Sequence, residues 1–190
     1  MAESDARDRM VSSALQLLAR NGVQATSFSH VLSHANAPRG SVYHYFPSGK
    51  EELLGEALDL ASQEALDFLD RGQDTSANGL TDRFVSMWRA VLKGSNFEAG
   101  CAVLAVAVTA DEPELNARAA VIFRAWLDHL ANRFIAAGVP VEASVRFAAT
   151  LIAATEGAVV LSRAEGSLQP FDLVAAHLTE AAARLTAGSG

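Results

Sequence analysis

The sequence predicts an all-α protein: an N-terminal three-helix unit containing a helix-turn-helix, followed by a larger helical body. The whole amounts to about nine helices. Three observations carry this. Half of the 190 residues are hydrophobic, which suffices for a packed core. The apolar residues recur at spacings of three, four and seven, and no segment alternates with period two. Gly and Pro are sparse inside the periodic stretches.

Taken in order, residues 5–21 form the first helix, with Met10, Ala14, Leu17 and Leu18 on its buried stripe and Asn21-Gly22 as its stop. Phe28, Val31, Leu32 and Ala35 share one face of a second helix of about two turns. Thr26-Ser27 supplies its N-cap hydroxyl. Asn36 then reverses the chain, since Asn tolerates the left-handed region. Pro38 suits the first turn of a third short helix that continues to Tyr45. Phe28, Leu32, Val42 and Phe46 are expected to close a core with the first helix. A fourth helix runs from Ser48 to about Arg71, with Ser48 as N-cap and Glu51 reaching back in a capping box. Residues 72–79 are a loop. Further helices are expected at 80–93, 97–109, 111–137, 140–164 and 170–186. Asp111-Glu112-Pro113-Glu114 marks one start strongly, because acidic groups and proline both favour a first turn.

The second and third helices, joined by a tight turn, make a helix-turn-helix, whose second helix can enter a DNA major groove. The residues there suit nucleic acid. Arg39 presents a planar fork that can grip a guanine edge or a phosphate. Gly40 allows close backbone approach, and Ser41 and Tyr43 carry hydroxyls that can donate to phosphate oxygens. His44 and Tyr45 add donors on flat rings. Lys50 opens the fourth helix, where a cation opposes the helix dipole and needs another partner; a phosphate would serve.

This segment resembles the TetR family of bacterial transcriptional repressors. The resemblance rests on Thr26, Phe28, Ala35, Gly40 to Tyr43, Tyr45 to Ser48, Lys50, Glu51 and Leu53, above all on the spacing of Gly40, Tyr43, Tyr45-Phe46 and Lys50-Glu51-Glu52-Leu53. The sequence departs from the pattern at Asn36, at Pro38 and at Gly49, which reads as one extra residue before the lysine. The resemblance implies DNA contacts at Thr26, Ser27, Arg39, Gly40, Ser41, Tyr43, His44, Tyr45 and Lys50. More weakly, Glu98–Ala110, Trp126, Glu156-Gly157 and Arg163-Ala164 look like the LmrA-like subgroup. It also implies a homodimer through the last two helices, where Ala148, Ala149, Ala153, Ala154, Gly157 and Ala158 give two backbones room to approach.

Charge and cysteine content narrow the class further. Net charge is −7, but residues 1–50 hold five Arg/Lys against three Asp/Glu and the remainder holds ten against nineteen. A mildly basic reading head, residues 1–50, is thus carried on an acidic body, residues 51–190, with the helix from Ser48 to Arg71 linking them. Cys101 is the only cysteine, which fits a cytoplasmic location. The N-terminus carries no signal-peptide core. The apolar runs 99–110 and 147–155 are too short to span a bilayer and read as buried helix. His129 and His177 lack partners at ligand spacing, no catalytic constellation is recognisable, and no metal or cofactor is expected.

The body's aromatic residues read either as plain core or as walls of a ligand cavity. The expected walls are Phe84, Trp88, Phe97, Cys101, Phe123, Trp126, Phe147 and Leu151. Glu156 interrupts an apolar helix and either pairs with an arginine such as Arg163 or orients a ligand. The reading is a dimeric operator-binding repressor released by a small apolar effector. Its alternatives are an activator or ligand-independent regulator of the same fold, or a helical binding protein or enzyme for apolar compounds.

Overall fold

The computed structural model describes residues 2–187. Among these there are nine helices and no strand: α1 (Ala2–Ala25), α2 (Phe28–His34), α3 (Ser41–Tyr45), α4 (Lys50–Asp70), α5 (Ala77–Gly94), α6 (Ala102–Thr109), α7 (Pro113–Ala136), α8 (Val141–Glu165) and α9 (Gln169–Ala187). The all-helical fold and its helix count are as the periodicity predicts.

The chain divides into two compact units. The first holds residues up to Glu64 together with Cys101–Phe123. Its core is built from Met10, Ala14 and Leu18 of α1, Leu32 of α2, Val42 of α3, and Leu53, Leu54, Ala57 and Leu58 of α4, with Phe46 fully buried after α3. Each of the larger side chains here contributes roughly 1.5–3 kcal/mol by leaving water. On α6, Val103 and Val106 are fully buried, and this helix packs along α1. Gly55 of α4 lets the Arg118 guanidinium lie within 3.3 Å of where a Cβ would stand, and Arg118 pairs with Asp59 at 2.6 Å. Arg7 reaches Glu56 at 2.5 Å and lies over the Phe46 ring. Burial lifts the Glu56 carboxyl above the usual glutamate range, with Arg7 pulling against it.

The second unit holds Ala65–Gly100 and the chain from Arg124 onward. Within it α5 packs against α8 and α9, and α8 against α9. Phe134 and Phe147 meet edge to face at 5.2 Å, and Phe171 is buried with Arg89 over its ring. Arg83 fastens the loop before α5 by donating to the Leu69 and Asp74 carbonyls at 2.8 and 3.0 Å. Ser76 caps α5 by accepting from the Gly79 N–H at 3.1 Å. The Ser76 N–H donates to Asp74 at 2.9 Å, and Ser76 holds that carboxyl below its usual range.

Local details differ from the sequence expectations. α1 continues past Asn21 to Ala25, but Gly22 breaks it at φ 73°, so the first stretch does stop where Asn-Gly foretells. α3 starts at Ser41, because Pro38–Gly40 form a turn in which the Ser41 N–H and hydroxyl both donate to the Pro38 carbonyl. α4 starts at Lys50 after Gly49 at φ 94°, and Glu52 rather than Glu51 reaches back to the Ser48 N–H, at 2.9 Å. Residues 95–101 are not helical. Asn96 and Phe97 stand at φ 52° and 64°, held by a Phe97 N–H bond to the Leu92 carbonyl at 2.8 Å and by Arg163 donating to the Glu98 carbonyl at 2.8 Å. The apolar run at 147–155 belongs to the 25-residue α8, which by length and composition alone is long and apolar enough to cross a membrane; half of that window is buried inside the structure.

Candidate nucleic-acid interface

The helix-turn-helix is assembled from short elements fastened at their ends. Ser27 caps α2 by accepting from the His30 N–H at 3.3 Å, and the Thr26 hydroxyl donates to the Gly22 carbonyl at 2.8 Å. Arg9 of α1 donates to the Ala35 carbonyl where α2 ends. Asn36 makes the reversal at φ 49°, and the Ala37 N–H returns to the Leu32 carbonyl at 2.9 Å. Lys50 closes the far side: its ammonium donates to the Val23 carbonyl at 2.9 Å.

An open groove of about 700 Å³ lies between α2 and α3, lined by Phe28, Ser29, Ser33, Asn36, Arg39 and Tyr43 among others. The structure brings Arg39, Gly40, Tyr43 and His44 to the surface there, all exposed. Arg39 has no hydrogen bond or ion pair among the described residues, so its five donors are available to a partner. Tyr43 is 69% exposed and stands edge to face with Phe28 at 5.6 Å. His44 packs against Tyr45, which is half-buried.

Three expected DNA contacts are placed otherwise. Thr26 is fully buried, so its side chain faces the core and braces the turn. The Ser41 hydroxyl is engaged at 2.6 Å with the Pro38 carbonyl, because the helix begins there. Lys50 is half-buried against Val23, which supplies the partner that its place in the first turn of α4 demands. Two exposed histidines on α2 were not among the candidates: His30 bonds through Nδ1 to the Ala25 carbonyl and His34 through Nδ1 to the Ser13 hydroxyl. Their spacing of four, opposite the apolar face, is the signal that could have found them.

The expected pocket residues separate between the two units. Phe84, Trp88, Trp126, Phe147 and Leu151 are buried in the second, where Phe97 is half-buried. Cys101 and Phe123 belong to the first; Cys101 is buried, and its Sγ accepts from the Leu104 N–H at 3.3 Å as N-cap of α6. The Trp88 indole N–H and the Thr155 hydroxyl are buried without a hydrogen-bond partner among the described residues. Glu156 is 6% exposed, and Arg163 gives one N–H to the Glu98 carbonyl.

A helix-turn-helix with exposed donors on its second helix, set in an all-helical chain, defines a DNA-binding regulator. Comparisons make this specific. Residues 11–57 match the tetR family of bacterial regulatory proteins, and residues 79–177 match the C-terminal domain of LmrA/YxaF-like transcriptional regulators. The chain belongs to the TetR family, with a C-terminal domain of the LmrA/YxaF type. It is 39% identical over 175 residues to an uncharacterized HTH-type transcriptional regulator of Mycobacterium tuberculosis, covering 88% of this chain and 89% of that one. With the uncharacterized HTH-type regulator YxaF of Bacillus subtilis it shares 23% over 181 residues, 93% of this chain and 95% of that one. A TetR regulator structure from Legionella pneumophila matches the fold with a TM-score of 0.80 at 20% identity, over 91% of this chain and 95% of that one. These families and relatives are transcriptional regulators, not enzymes. TetR regulators bind operator DNA and act as dimers.

Proposed function

We propose that the protein is a cytoplasmic homodimeric repressor that leaves its operator when a small, largely apolar effector binds. The observation that carries the DNA half is the exposed group on the recognition segment, Arg39, Tyr43 and His44, with Arg39 unpaired among the described residues. Ser27, Gly40 and Tyr45 complete the contact set, while Thr26, Ser41 and Lys50 hold the segment in place. The functional division runs between a reading head, residues 1–50, and a body, residues 51–190.

The dimer reading is supported by the outer face of α8. Val141, Val145, Ala149, Ala153, Gly157, Val160 and Leu161 are all exposed at helical spacing, an apolar stripe that water does not favour. Leu173 and Ala176 of α9 are exposed in the same manner. The effector reading is supported by Trp88 and Thr155, whose polar atoms are buried without partners; leaving such atoms unmet costs about 1–3 kcal/mol each. An apolar molecule carrying one or two hydrogen-bonding atoms would relieve that cost. A hundredfold release from DNA needs about 2.7 kcal/mol of coupling, within the ordinary range.

The test is selection of a duplex from a random-sequence pool by the parent protein, then a mobility-shift titration of Arg39→Ala. Equal binding of parent and variant to the selected duplex would overturn the assignment of the reading head.

A further inference from the structure

We propose that Phe28 is a positioning residue for DNA recognition: its ring braces Tyr43, so that the phenol meets the duplex already held in place. The inference rests on the reading of Tyr43 as a DNA contact and adds a role for a residue outside the contact set.

Three observations converge. First, α3 is only five residues long, and its N-cap, Gly40, offers no side-chain bond. Such a helix has no preceding helical turn to support a long exposed side chain, and Tyr43 is 69% exposed. Its hydroxyl has no hydrogen-bond partner among the described residues. Left to itself this side chain would sample several rotamers and would lose that freedom on binding.

Second, the support comes from the neighbouring helix. The Phe28 and Tyr43 ring centroids are 5.6 Å apart with planes at 78°, the edge-to-face arrangement that ring quadrupoles favour. An aliphatic side chain of similar bulk would fill space but would not fix the angle of the second ring.

Third, Phe28 is itself well anchored. It is half-buried and opens α2 directly after the Ser27 cap, beside the fully buried Thr26. Both rings line the groove that also holds Arg39. A rigid platform, one directional ring contact and a free hydroxyl at the rim together make a preorganised donor.

The experiment uses the full-length dimer, the duplex selected from a random pool by the parent, and four variants: Phe28→Leu, Phe28→Tyr, Tyr43→Ala and the double Phe28→Leu/Tyr43→Ala. Phe28→Leu is expected to weaken binding by about two- to tenfold per reading head, and by the square of that for the dimer. Phe28→Tyr keeps a ring and should restore affinity. In the Tyr43→Ala background, Phe28→Leu should cost nothing further. Because neither residue is charged, the slope of affinity against salt should match the parent's. Thermal melts confirm that each variant is folded at the assay temperature. Additive losses in the double variant, or a Phe28→Leu protein that binds like the parent while Tyr43→Ala loses affinity, would overturn the brace alone. Parental binding by Tyr43→Ala would instead overturn the contact reading beneath it, and the brace with it.

Discussion

Replacing Lys50 by Met separates two roles that one lysine can play. In the structure its ammonium donates to the Val23 carbonyl at 2.9 Å, tying the start of α4 to the end of α1. A hydrogen bond from a charged donor contributes about 1.5–3 kcal/mol. The Val23 carbonyl also accepts from the Thr26 N–H at 3.2 Å, so it would keep one partner and the loss should sit near the lower bound, about 1.5 kcal/mol. For a chain of this length that corresponds to a fall in melting temperature of about 3–6 °C. A lysine on phosphate would behave differently. Losing one contact per reading head would lower the salt slope of a dimer by about 1.8, and the melting temperature would not move. The assays are a calorimetric melt and mobility-shift titrations from low to moderate salt. A Lys50→Met protein that melts with the parent but shows the flattened salt slope would refute the tether.

Arg39→Ala should lose about 1–3 kcal/mol of operator affinity and relax base preference at one position, read by titrating duplexes carrying single-base changes. Gly157→Arg should yield folded monomers in sedimentation and abolish operator binding together, since a Cβ at Gly157 meets nothing within 4 Å of its own chain; an intact dimer would count against this face. For Asp74, held below its usual range by Ser76, the stabilisation is present above the unfolded-state pKa and lost as pH falls through the folded-state one. Asp74→Asn should therefore reduce stability near pH 7 and become indistinguishable from the parent in strong acid, in urea melts at the two pH values. Glu56 has the opposite sign: its pKa is raised, so the stability it brings is present in acid and lost as pH rises through the folded-state value. Glu56→Gln should shift the parent-minus-variant difference in that direction, and a difference flat in pH would sink this reading.

The helices were legible because their signals are local. Asn36 marks its own reversal at φ 49°, and Asn21-Gly22 marks the break in α1, since both depend on what one residue tolerates. Pro38 misled because proline suits a first helical turn and a β-turn alike. The choice fell to Ser41, whose hydroxyl and N–H both go to the Pro38 carbonyl. The capping box slipped by one residue because Gly49 lengthens the approach to α4. At 95–101 the periodic pattern reads as helix, yet the backbone turns through two left-handed residues, with Arg163 from α8 bonded there. A partner sixty-five positions away leaves no trace in a local window. Among the expected DNA residues Arg39, Tyr43 and His44 stand exposed, whereas Thr26 is buried with its hydroxyl on the Gly22 carbonyl and Lys50 donates to the Val23 carbonyl: a polar group read from a local pattern can spend itself on the fold. Pocket walls depend on how distant helices meet, which spacing does not encode.

The reading head is not an excisable cassette. The segment up to Glu64 shares its compact unit with Cys101–Phe123, and α6, with Val103 and Val106 fully buried, lies along α1. A gene fusion that borrowed only the first 64 codons would leave the α1 surface that α6 normally covers exposed to solvent and prone to sticking to other chains. Swapping reading heads between such regulators would therefore require moving two separate stretches of sequence together. If Arg39 and α3 read the operator as proposed, single substitutions there are the route to new DNA preference that this chain topology leaves open.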